Sequence, residues 1–259
     1  MYPKSGSNAY MKYKALLLDV DGTLVPIGPH TIPSKKVVDA LIEAKTKIAI
    51  SLVSGRPLRW LSETFEVLGL TDPCIINGGT QIVNPKTHQI LWERIIENET
   101  VKKVLQIADE HNLSFQVTDE GIEYQNPQQN NFKRVTVIQL QYMATKEEAE
   151  KYAELLAVFP DVAVHKIFSW KLGSYDLYLT HRDATKQHAT QELARLLGIN
   201  TSEIIGVGDG ENDIPLLREC GLKIAMGNAV EELKKMADYT ASPLEKDGVA
   251  EVVEKFILQ

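Results

Sequence analysis

The stretch Lys14-Ala15-Leu16-Leu17-Leu18-Asp19-Val20-Asp21-Gly22-Thr23-Leu24 decides the fold. Ala15 to Val20 is a short apolar run that ends in a carboxylate. Apolar residues without alternation are buried on both faces, which is the pattern of a strand inside a parallel sheet. Gly22 permits a turn just beyond it. Outward from this run, Ser34 follows Pro33 and is placed to cap a helix with the apolar face Val37, Val38, Leu41 and Ile42. Lys47 to Val53 reads as a second strand. Pro57 then opens a helix on Leu58, Leu61, Phe65 and Leu68 that stops at Gly69. Cys74 to Ile76 is a third, short strand. Strands alternating with helices across short connections predict an α/β fold built on a doubly wound parallel sheet.

The middle of the chain has a different texture. Ile90–Ile96, Ser114–Asp119, Val135–Gln141, Asp161–Phe168 and Tyr175–Thr180 are strand-like, and helices are expected over Glu99–His111 and Lys146–Phe159. Gly121 to Asn131 is polar and turn-rich and reads as a loop. More strands than helices predict an α+β unit, an antiparallel sheet with helices on one face. The first texture then returns: a helix Lys186–Leu197 stopping at Gly198, a strand Glu203–Val207, a helix Ile214–Glu219, a strand Lys223–Ala225, and helices Glu231–Ala237 and Val249–Ile257. The expected organisation is a core of residues 11–83 and 184–259 with an inserted domain of residues 84–183. Its hinges fall near Ile82–Pro85 and Arg182–Ala184.

With 259 residues the chain can bury a sizeable core without staples. It is 44% hydrophobic and 24% charged, which excludes a disordered or fibrous protein. A formal net charge of −7 argues against a broad basic face, so no nucleic-acid partner is expected. No apolar run reaches the ~18 residues of a spanning helix, so no membrane partner is expected. Cys74 and Cys220 are far apart and match neither a disulfide framework nor a zinc site; they suit a reducing, cytoplasmic setting. Residues 1–10 have no apolar core and read as a flexible tail, not a secretory signal.

Four segments carry chemistry, each at a strand end or opening the helix beyond it. Asp19-Val20-Asp21 puts two carboxylates one residue apart after a buried strand; two anions so close call for a cation or a shared proton, and oxygen ligands suit a hard divalent metal. A solvated Asp-x-Asp-Gly turn is the plainer alternative. Ser54-Gly55-Arg56-Pro57 offers a hydroxyl and free N–H groups at a helix start, good anion-binding chemistry, unless Ser54 merely caps the helix. Lys186 opens a helix at the end where the dipole disfavours it, which makes sense beside an anion. Gly208-Asp209-Gly210-Glu211-Asn212-Asp213 places carboxylates at a strand end and on the first turn beyond. Its glycines start a dinucleotide-like spacing, but Glu211 stands where the third glycine belongs. In a parallel sheet such ends share one edge, where open α/β folds bind ligands.

Taken together, Asp19-x-Asp21-Gly-Thr, Ser54-Gly-Arg, Lys186 and Gly-Asp209-x-x-Asn212-Asp213 resemble the four motifs of the haloacid dehalogenase superfamily, phosphotransferase branch. The insert looks like the α/β cap of its subfamily IIB, and Asn77-Gly78-Gly79, Met226-Gly227-Asn228-Ala229 and Asp247-Gly248-Val249-Ala250 extend the resemblance. Many members have Thr where Ser54 stands; either supplies a hydroxyl. The resemblance implies a Rossmann-like core and a Mg²⁺-dependent phosphatase acting on small phosphorylated metabolites, a sugar phosphate or a phosphoglycolate-like acid. It implies Asp19 as nucleophile and Asp21 as acid/base. Ser54, Gly55, Lys186, Asn212 and Asn77 would face phosphate or substrate. Asp19, Asp21 (through its carbonyl), Asp209 and Asp213 would serve the metal. Candidate substrate contacts in the insert are Glu123, Arg134, Lys166 and Tyr175, each also readable as a surface residue. His165, His181, Trp60, Trp92 and Trp170 read as ordinary strand, surface or packing residues. A hexose-type phosphomutase and a non-catalytic metabolite-binding module remain the rival readings, and the oligomeric state is open.

Overall fold

The computed structural model describes residues 12–28, 31–127, 131–168 and 173–258. The N-terminal tail and Trp170 lie outside them. The chain divides into two compact units, residues 1–92 with 185–259, and residues 93–184.

The first unit begins with β1 (Ala15–Leu18), α1 (Lys35–Ala44), β2 (Ala49–Leu52), α2 (Leu58–Leu68), β3 (Cys74–Ile76), β4 (Gln81–Val83) and β5 (Ile90–Glu93). β1 and β2 are buried at every position, as continuous apolar runs require. Ser34 caps α1 by accepting from the Val37 N–H, and Val37, Leu41 and Ala44 form its buried stripe. Ile42, expected on that stripe, is exposed: one position past Leu41, it has turned out of the seam. α2 buries Leu61, Phe65 and Leu68 and ends at Gly69 in the left-handed region. β3 does not extend the main parallel sheet. It forms a small sheet in the order β3-β4-β5, antiparallel to β4, joined to the main one by a parallel bridge between Val53 and Ile75. These strands hold the chain in the first unit as far as Trp92, past the boundary near residue 83 that alternation suggested.

The second unit contains α3 (Asn98–Glu110), β6 (Ser114–Asp119), β7 (Ile122–Gln125), β8 (Val135–Met143), α4 (Lys146–Leu156), β9 (Val162–Phe168) and β10 (Tyr175–His181). Its antiparallel sheet runs β7-β6-β8-β10-β9. Val101, Val104, Leu105, Ala149, Tyr152 and Leu156 of the helices share a core with Phe115, Val117, Ile138, Leu140, Leu177 and Leu179 of the strands. β7 corrects the expected loop over 121–131. Positive φ at Glu120 and Gly121 closes a tight turn, so the polar stretch after it pairs back on β6. Ile122 and Tyr124 are exposed there, which removed the burial pattern a strand normally shows.

The chain then returns to the first unit with α5 (Lys186–Leu197), β11 (Ile204–Gly208), α6 (Ile214–Glu219), β12 (Leu222–Ala225), α7 (Glu231–Met236), β13 (Tyr239–Thr240) and α8 (Gly248–Phe256). The main sheet is parallel, in the order β13-β12-β11-β1-β2. Winding runs one way from β1 to β2 and the other way from β11 to β13. The direction therefore reverses at the β1–β11 pair, where such sheets open a crevice beyond their carboxyl ends. Among the described residues no helix is long and apolar enough to cross a membrane.

Candidate active site

Register builds the site. Leu18 pairs with Val207 on one side and Leu52 on the other, so Asp19, Val53-Ser54 and Gly208-Asp209 leave the sheet side by side. The Asp19 N–H still donates to Val207 O at 3.0 Å, which keeps the nucleophile candidate on the rigid strand end. The chain then turns tightly: the Leu24 and Val25 N–H groups both donate to Val20 O. Gly22 has φ +86°, and a methyl there would lie 2.7 Å from Asp209 Cγ; only glycine lets the loop pass this carboxylate.

Lys186 is the centre of the arrangement. It is the first residue of α5, whose N-cap Thr185 accepts from the His188 N–H. Its ammonium is 4% exposed and donates to Asp19 Oδ1 at 2.5 Å and Asp213 Oδ1 at 2.6 Å. Asp213, fully buried, uses its other oxygen to accept from the Asp209 and Gly210 N–H groups, both at 3.0 Å, and so fixes the turn after β11. Thr23 donates to Asp209 Oδ1 at 2.9 Å. The Asn228 amide donates to Gly22 O at 2.8 Å, tying the first loop to the C-terminal half of the unit.

Electrostatics follow from this crowding. Burial, then the Asp213 charge, push the Asp19 carboxyl well above the ordinary carboxylate range, against the pull of Lys186. Burial also raises Asp209, to about 6, with Thr23 pulling it down and Asp213 pushing it up. Burial by itself would lower Lys186, but Asp19 and Asp213 outweigh it and hold the ammonium above its ordinary value. Asp19, Asp209 and Asp213 each offer an oxygen within 4.8 Å of the others. Three carboxylates against one ammonium leave an excess of negative charge. A divalent cation with oxygen ligands fits that donor set and relieves the repulsion that raises Asp19 and Asp209.

Asp21 stands apart from this carboxylate cluster. Arg56 grips it through two bonds, Nε to Oδ2 at 2.9 Å and Nη2 to Oδ1 at 2.6 Å. The same guanidinium reaches Gly28 O and Thr31 Oγ1, and its remaining nitrogen, Nη1, is buried with no partner among the described residues. Ser54 is fully buried and does not cap α2; its hydroxyl accepts from the Arg56 N–H at 3.0 Å. Gly55 is exposed beside it, and Asn212 is exposed on the turn after Asp209. The Asn77 amide donates to Gln81 Oε1 at 2.9 Å, an internal contact rather than one aimed at a ligand. Arg134 pairs with Glu93, and Lys166 with Glu150 at 3.1 Å, within the second unit. Arg56, Thr23 and Asn228 were not singled out from sequence. Arg56 sits inside a recognised motif, but an arginine in a polar loop carries no sign that it will be 5% exposed.

Known proteins share this arrangement of elements. The sequence profile described as haloacid dehalogenase-like hydrolase matches residues 16–253. A phosphoglycolate phosphatase of Methanobrevibacter smithii is 25% identical, over 96% of this chain and 100% of its own. A subclass IIB sugar phosphatase of known structure superposes with a TM-score of 0.75 at 26% identity, covering 94% of this chain and 98% of that one. A Thermotoga maritima structure with a TM-score of 0.81 and 22% identity, covering 94% and 97%, shares the fold. With nearly its whole length matched and four charged motifs at one sheet edge, this chain belongs to the haloacid dehalogenase-like hydrolases.

Proposed function

We propose that this protein is a magnesium-dependent phosphatase that hydrolyses small phosphorylated metabolites, sugar phosphates or phosphoglycolate-like acids, through an aspartyl-phosphate on Asp19. The observation that carries the reading is the buried Lys186 ammonium held between Asp19 and Asp213. A buried cation is costly to desolvate unless anions surround it, and this one stands beside the group that would attack phosphorus. The relatives named as phosphoglycolate and sugar phosphatases support the substrate range.

In this reading an Asp19 oxygen attacks phosphorus as the bond to the leaving oxygen breaks. Lys186 and Ser54 balance the charge spread over the phosphoryl oxygens. Asp21 delivers a proton to the departing alkoxide. It then accepts one from the water that attacks the aspartyl-phosphate, which returns Asp19 and releases phosphate. Both Asp21 carboxylate oxygens accept from Arg56, so the clasp must open to free one of them for the leaving group. Asp19, Asp209 and Asp213, with the Asp21 carbonyl, would hold magnesium, which supplies positive charge beside the phosphoryl oxygens and keeps Asp19 ionised. The inserted unit, residues 93–184, would select the leaving group, which lets one core serve different substrates.

The test is phosphate release from p-nitrophenyl phosphate and from a panel of sugar phosphates and phosphoglycolate. Isomer formation from a hexose phosphate is followed in parallel to detect mutase activity. Wild type with magnesium releases phosphate, chelation stops it, and Asp19→Asn lowers the rate by at least about a thousandfold. Equal rates for Asp19→Asn and wild type would refute the nucleophile.

A further inference from the structure

We infer that the Asn77-Gly78-Gly79 turn is a positioning element that sets Ser54 and Lys186 against each other, with Gly79 as the residue on which it depends. The inference rests on the reading of Ser54 and Lys186 as phosphoryl-binding groups. It gives a role to a segment whose one polar side chain points at Gln81.

On one side the turn is latched to the Ser54 loop through backbone alone. The Ser54 N–H donates to Ile75 O, the Asn77 N–H to Arg56 O and the Gly78 N–H to Ser54 O, each at 3.0 Å. Three such bonds across five residues leave the loop little freedom. On the other side the turn lies directly on the start of α5. A methyl at Gly79 would sit 2.6 Å from Thr185 O and 2.7 Å from Lys186 N. Gly79 also has φ +107°, which side chains rarely adopt. The three atoms nearest a Cβ at Gly79 are all backbone, Thr185 C and O and Lys186 N, so the backbone of one turn spans the two phosphoryl-binding segments. The Asn77–Gln81 bond secures the exit of the turn, with Gln81 1% exposed.

The consequence is mechanical. α5 cannot retreat as a body, because Ala189, Thr190, Leu193 and Ala194 are buried along it. An added methyl at Gly79 therefore displaces the turn or the first residue of α5, Lys186 itself. Lys186 reaches two carboxylates at 2.5 and 2.6 Å, distances with no slack for a moved backbone.

The full-length protein is tested as wild type, Gly79→Ala, Lys186→Met and the double variant, with Gly198→Ala as control. Gly198 also has positive φ, at the far end of α5, with open space around its Cβ. Urea unfolding supplies the first readout. If Gly79 positions Lys186, the drop in midpoint caused by Lys186→Met is at least halved in the Gly79→Ala background; additive drops overturn the inference. Steady-state kinetics with p-nitrophenyl phosphate supply the second. Gly79→Ala lowers kcat by up to about 100-fold, the scale of a 1 Å misplacement. Gly198→Ala loses stability with kcat unchanged. A kcat within twofold of wild type for Gly79→Ala overturns the inference even if stability falls. Should wild type hydrolyse no phosphate ester, the phosphatase reading fails, and the urea cycle alone still decides the positioning role. Should Gly79→Ala not fold, Asn77→Ala loosens the same turn without adding an atom and enters the cycle under the same criterion.

Discussion

Replacing Lys186 by methionine removes a buried cation and leaves most of its volume in place. Asp19 and Asp213 then face one another with nothing between them, both nearly inaccessible to water. Breaking a buried pair by removing one partner costs about 3–5 kcal/mol, because an uncompensated charge stays behind. For a domain of this size that corresponds to a fall in Tm of roughly 6–20 °C. The pH dependence has a definite sign. Native Asp19 holds its proton more tightly than the unfolded chain does, so its ionisation already lowers stability as pH rises above the ordinary value of 3.8. Without Lys186 that shift grows. The penalty of Lys186→Met therefore shrinks as pH falls, because Asp19 can take up a proton in place of the missing ammonium. On the alkaline side the Lys186 contribution is fully present below its ordinary value of 10.5 and is lost only above its raised native value, so the penalty is level from pH 7 to 9. Urea unfolding of the metal-free proteins at pH 5, 7 and 9 measures it. A penalty under about 1 kcal/mol at pH 7, the range of an exposed pair, or one that grows on acidification, would refute the reasoning.

Other outcomes follow from the same geometry. Magnesium affinity, measured by calorimetry, should weaken as pH falls through about 6, because Asp209 must shed its proton before it can serve as a ligand; affinity constant from pH 5.5 to 7.5 would count against Asp209 as a ligand. Arg56→Gln should cost about 1–3 kcal/mol in urea unfolding by stripping Asp21, Gly28 and Thr31 of their shared donor, and a neutral result would show the clasp to be incidental. Burial pushes the Cys74 thiol up to about 12 and raises Cys220 as well, so iodoacetamide at pH 8 should modify neither until the protein is unfolded. Mass spectrometry of the native protein reads this directly. Ser54→Ala should lower kcat/KM on p-nitrophenyl phosphate by about 100-fold, the usual cost of one donor to a developing oxyanion.

Much of the core was legible in the amino-acid order because its signals are local. A buried parallel strand is an unbroken apolar run, so β1 and β2 could be read directly, and a glycine past the last apolar residue marked the ends of α2 and α5. Asp19, Ser54 and Asp209 follow such runs, and Lys186 begins a helix, so their gathering at one sheet edge followed from the parallel topology. What required the tertiary structure was every feature whose cause lies far away in the chain. Ile42 faces water because of where α1 rests, and β7 is a strand because β6 is there to pair with it. The first unit runs to Trp92 because β3, β4 and β5 bond to each other. Asp21 lies in the grip of an arginine 35 positions away, and Asn77 turns its amide inward while its neighbours brace Ser54 and Lys186. Residue type and spacing determine which groups can reach the edge of a sheet. Which way a carboxylate or an amide then points is settled by donors brought in from other segments, and no local pattern encodes those.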